Sequence, residues 1–150
     1  MARVMGFPKL KQLMRRVASL DIDKSKAEIL LEIIEKKFRD LIEVAERNAR
    51  DNGREIIYMR DLPLTKGFLR SMEERKKLLL TAEVDLSPIL AVVAEVTPFT
   101  VSDELRENLQ DIVGALVYIV GNTIKLVEPD SRRPSKEAIE RASKILDLTL

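Results

Sequence analysis

Cysteine, histidine and tryptophan are all missing from the 150 residues. Without thiols or imidazoles there is no disulfide, no Cys/His zinc site, no thiolate nucleophile and no imidazole base. Carboxylates, lysines and hydroxyls remain, but no Gly-rich phosphate loop, nucleophile elbow or EF-hand ligand series organises them. The pairs Glu32/Glu35 and Glu104/Glu107 have the spacing of helical carboxylate metal sites but lack the histidine such sites add. The expectation is a protein that is not an enzyme, with no cofactor, no metal and no small-molecule substrate. No uninterrupted apolar run reaches the ~18 residues of a membrane helix, and Met1 to Leu13 lacks the apolar segment of a signal peptide. A cytoplasmic protein without a membrane partner is expected.

Glycine (5 residues) and aromatics (4%) are scarce while charged residues reach 34%, a balance typical of helical proteins and compatible with a thermophile. An apolar content of 45% is enough for one ordinary core. The net charge of +1 hides an asymmetry: residues 1–75 carry 17 Lys/Arg against 13 Asp/Glu, and 76–150 carry 9 against 12. An anionic partner should prefer the first half, net +4, over the second, net −3.

Apolar spacing predicts a short helix from Pro8 to about Leu20, with Leu10, Leu13, Met14 and Val17 on one face. After a brief loop, with Asp23 or Ser25 as N-cap, Ala27, Leu30, Leu31, Ile34, Phe38, Leu41, Ile42, Ala45 and Ala49 hold one stripe for about six turns. Glu32, Lys36, Arg39, Glu43 and Glu46 lie opposite and should face solvent. Gly53 supplies a left-handed stop, Ile56-Ile57-Tyr58 is β-like, and Asp61 can cap a helix from about Leu62 to Leu79 with Pro63 in its first turn. Arg54, seven residues before Asp61, suggests an ion pair clamping that loop.

Residues 82–85 read as a link, after which the pattern restarts. A short helix begins at Leu86-Ser87-Pro88, and Ser102 can cap a second long helix striped by Leu105, Leu109, Ile112, Val113, Leu116, Val120, Ile124 and Val127. Gly114 and Gly121 sit inside it, each costing about 1 kcal/mol against Ala; close approach of another helix would compensate. Pro129 to Pro134 ends the helix, with Arg132 and Arg133 read as solvated loop charges, and Ser135 starts a last one. Short, long, short is thus written twice, an internal repeat.

That order, with Val101-Ser102-Asp103 opening one long helix and Gly53-Arg54 then Asp61 closing the other after residues 24–52, resembles the archaeal histone. Two copies in one chain resemble a bacterial tandem histone-fold family of uncharacterised function. The resemblance implies an all-α protein: a single compact domain, 1–150, of two histone folds (7–81 and 86–150) packed as an intramolecular pseudodimer with crossed long helices. It also implies weak, sequence-nonspecific binding of double-stranded DNA, or alternatively protein–protein dimerisation with itself or another histone-fold protein and no nucleic acid. Candidate DNA-contacting residues are Lys9, Lys11, Arg15, Arg16, Arg54 and Arg60; Arg54 and Asp61 form the structural clamp. Where archaeal histones place arginine or lysine against DNA, this chain aligns Gln12, Ala91, Asp21, Thr100 and Glu55. The usual contacts are missing or reversed in sign.

Overall fold

The computed structural model describes residues 2–77 and 84–150. Among these, six helices follow one another: α1 (Phe7–Ala18), α2 (Lys24–Asp51), α3 (Lys66–Lys77), α4 (Leu86–Val96), α5 (Asp103–Val127) and α6 (Lys136–Thr149). Two dipeptide strands, β1 (Ile56–Ile57) and β2 (Thr100–Val101), pair in parallel, Ile56 with Thr100 and Ile57 with Val101. The protein is therefore mostly helical rather than all-α. Backbone hydrogen bonds left over at the two loops are satisfied by pairing the loops.

Local chemistry explains the boundaries. In α1, Pro8 occupies the first turn, and Ser19 closes the helix in the left-handed region at φ 53°, two residues earlier than the apolar pattern indicates. Asp23 is the N-cap of α2: its carboxylate accepts the Lys26 amide, while the Ser25 hydroxyl donates to it. Gly53, at φ +72°, is the stop after α2. Ser102 and Ser135 cap α5 and α6 by accepting from the amides of Leu105 and Ala138.

The third helix departs from expectation. Asp61 does not cap it, because its carboxylate is already taken by Arg54 and the Tyr58 amide. Residues 59–61 form a 3-10 turn, Leu62 is extended before Pro63, and α3 starts at Lys66 with Thr65 accepting the Phe68 amide. Leu79, proposed as its end, lies outside the described residues, as do residues 82 and 83 of the 82–85 link.

The two long helices α2 and α5 pack against each other, and the short helices cover them. Helix α1 lies on α2 and α5, α4 on both as well, α3 packs against α5 and α6 against α5 and α2. Buried residues of both halves form one apolar cluster, with Leu30, Ile34, Phe38 and Ile42 of α2 beside Leu109, Ile112, Leu116 and Val120 of α5. By length and composition α5 could cross a membrane, at mean hydropathy 1.2, yet half of its most apolar window is buried inside the protein. Its length and apolarity suit a helix contacted from several sides.

The two glycines of α5 meet different neighbours. At Gly121 an added Cβ would come within 3.0–3.3 Å of Met14, Ala18 and Val17, so α1 does approach closely there. At Gly114 the space is filled by a side chain instead: the guanidinium of buried Arg75, which donates to Asp111 at 3.0 Å. The face of α2 read as solvated is also partly engaged, since Arg39 binds Glu95 and Glu46 accepts from the Thr97 hydroxyl.

Candidate nucleic-acid interface and the loop clamp

The loop 53–61 is built around Asp61, which is 4% exposed. Arg54 meets it with a two-pronged contact, Nη1 to Oδ2 and Nη2 to Oδ1, both 2.8 Å, and Nη1 also donates to the Ile56 carbonyl. Oδ2 accepts the Tyr58 amide at 2.7 Å, and the Asp61 carbonyl accepts from Asn48 of α2. The Arg54 hydrogen bonds hold the carboxyl below the usual carboxylate range against the opposing effect of burial. The expected pairing of Arg54 with Asp61 is therefore present. Tyr58 stacks with two guanidiniums, Arg54 at 4.2 Å and Arg60 at 4.8 Å from its ring centre.

Helix α2 has 28 residues and so spans roughly 40 Å. Arg15 and Arg16 lie beside its first turn, Arg54 and Arg60 beyond its last. The six residues singled out as DNA-contacting are therefore not brought together: Lys9 and Lys11 lie along α1, Arg15 and Arg16 at its end, and Arg54 and Arg60 at the opposite pole. At that far pole Arg50 stacks over Phe99, Arg54 is locked in the clamp and Arg60 covers Tyr58, while Asp51, Glu55, Asp103 and Glu104 are exposed.

The near pole is different. The loop after α1 meets the loop after α5 through one backbone hydrogen bond, Asp21 amide to Arg132 carbonyl at 2.7 Å. This contact mirrors the β1–β2 pairing at the other pole, with the halves exchanged. It brings Arg133 of the second half beside Arg15 of the first, both within ion-pair distance of Asp21. The second-half loop is closed without an arginine: Glu128 accepts from the Ser135 amide and hydroxyl. The Ser135 hydrogen bonds lower the Glu128 pKa most, and the charge of Lys26 adds to the effect, so α2 faces this loop. Sequence spacing signalled Arg132-Arg133 only as loop charges, because their neighbours belong to a segment more than 100 residues away.

A second polar cluster had no sequence signal at all. Residues 2–5 run as a strap over α2 and α4, with Val4 and Met5 buried. The Ala2 amide donates to Glu95 at 2.7 Å and the Val4 amide to Glu35 at 2.8 Å, while Arg39 binds Glu95 and the Ala2 carbonyl. Arg3 pairs with Glu35 and lies over Phe7. Burial raises the Glu35 pKa, against the Val4 amide and Arg3. No group of His, Cys, Asp and Glu that could hold a metal occurs among the described residues.

Six helices around one shared apolar cluster, with a two-stranded parallel ladder joining two loops, define a mostly helical protein. Residues 10–147 match the family described as a domain of unknown function, DUF1931, and the chain belongs to that family. Two uncharacterised proteins of Aquifex aeolicus are similar to it. One is 31% identical over 98% of this chain and 85% of its own length, the other 29% identical over 82% and 79%. Among solved structures, one from Thermus thermophilus superimposes with a TM-score of 0.87 at 32% identity, covering 98% of this chain and 99% of that one. A 1.9 Å crystal structure from Aquifex aeolicus gives 0.75 at 29% identity, covering 100% and 99%.

Proposed function

We propose that the chain is a tandem histone-fold pseudodimer that binds double-stranded DNA weakly and without sequence preference, through the pole where residues 19–23 meet 128–135. The observation that carries this reading is the Asp21–Arg132 backbone link, which gathers arginines of both halves on one exposed surface. Arginines and lysines there can neutralise backbone phosphates, and backbone contacts carry no sequence information. At the other pole Arg54 is held by the buried carboxylate of Asp61, and Arg50 and Arg60 lie over Phe99 and Tyr58, so contact at one end only is expected, without wrapping.

Fluorescence anisotropy on a short duplex tests the reading. Binding is expected at about 20 mM salt and should fall steeply by about 200 mM, with a smaller salt slope for Arg132→Ala/Arg133→Ala and for charge reversal of Lys9, Lys11, Arg15 and Arg16. No binding at the lower salt sinks it.

An alternative reading is an interaction module that pairs with itself or a related protein. Its support is the exposed apolar side chains Leu69 of α3 and Ile145 and Leu148 of α6. A concentration-independent monomer mass in solution would remove self-association.

A further inference from the structure

Asp21 lies at the centre of the arginine pole. Its Oδ1 is 3.6 Å from Nη2 of Arg15, and its Oδ2 is 3.4 Å from Nε of Arg133. One carboxylate thus bridges two arginines, the first from α1 and the second from the loop after α5. Both arginine side chains are largely exposed, at 73% and 82%, and Asp21 is half-exposed at 48%. Ion pairs so open to water contribute little to folding, and the join between the two loops is made by the Asp21 amide rather than its carboxylate. The carboxylate is therefore dispensable for the fold, yet it occupies the surface where a phosphate would sit.

We propose that Asp21 is a built-in attenuator of the DNA-binding pole. Its carboxylate occupies Arg15 and Arg133 in the free protein and repels an incoming phosphate, so that DNA must displace it from both arginines before they can engage the backbone. The proposal rests on the DNA reading above and adds the group that sets its strength. The two arginines come from different halves of the chain, so the carboxylate governs both halves' contribution to one surface. A neutral side chain here would leave both guanidiniums to the phosphates and increase the number of counterions that binding releases.

The test compares anisotropy titrations of wild type, Asp21→Asn and Asp51→Asn on one duplex across a salt series. Asp51 is exposed at the last turn of α2, so its variant makes the same change in net charge at the opposite pole. The expected result is about tenfold tighter binding by Asp21→Asn at about 50 mM salt, with a steeper salt slope, and little change for Asp51→Asn. Equal affinity of Asp21→Asn and wild type overturns it and leaves DNA binding standing, as does an equal gain from Asp51→Asn, which would mark a general effect of net charge. Failure of all three proteins to bind at the lowest salt removes the DNA reading itself. Thermal melts of the three proteins should coincide, confirming that the comparison concerns binding alone.

Discussion

Asp61 meets three donors, two on Arg54 and the amide of Tyr58, in a nearly closed site. Removing the carboxylate leaves those donors without their partner, so Asp61→Ala should cost about 3 kcal/mol in a urea melt at neutral pH. Because its folded pKa is depressed, its contribution is present above the ordinary aspartate value, about 3.9, and is lost as pH falls through the lowered folded value. Below pH ~4 wild type should therefore lose stability faster than Asp61→Ala. Glycine positions separate by mechanism. Nothing lies within 4 Å of a Cβ at Gly53, so Gly53→Ala incurs only the left-handed backbone penalty of about 1–2 kcal/mol. Gly114→Ala would drive the buried Arg75 guanidinium from its place, and a larger loss, about 3 kcal/mol, should appear in the same melts.

Helices and loops show a different balance between local and distant forces. Caps at Asp23, Ser102 and Ser135 and the stop at Gly53 are properties of a few adjacent residues, and the chain carries them where they are expected. The start of α3 is misread from sequence because Asp61 has the right chemistry for a cap, but its carboxylate is engaged by Arg54 and the Tyr58 amide. The 2–5 strap has no periodicity to announce it, and its hold comes from Glu35, Arg39 and Glu95 on α2 and α4. Deleting residues 2–5 exposes the surface covered by Val4 and Met5 and leaves Glu35 buried without the Val4 amide. Apolar burial alone sets that loss at roughly 3 kcal/mol; calorimetry should show the melting temperature falling by several degrees.

For the molecule as a whole, the packing of α3 on α5 and of α1 on both long helices joins the two halves in one buried cluster. One cooperative unfolding transition is expected, with calorimetric and van't Hoff enthalpies equal. Fragments 1–81 and 86–150 made separately should not fold as monomers; circular dichroism showing a stable helical monomer of either fragment would contradict the shared core. Stripes of apolar residues at helical spacing, capping residues and the Arg54/Asp61 interval were legible because their information lies within a few turns of one helix or one loop. Poles could not be read that way. Arg15 and Arg133 are separated by more than 100 positions, and only folding sets them on either side of Asp21. Charge counts favour the first half for an anionic partner, whereas the proposed pole uses arginines of both halves. Local chemistry specified the helices, their ends and the clamp, because those interactions close over short stretches of chain. The contacts of α1 and α3 with α5 and of α4 with α2, the strap and the meeting of Arg15 with Arg133 at Asp21 arose from long-range packing, where geometry rather than spacing chooses the neighbours.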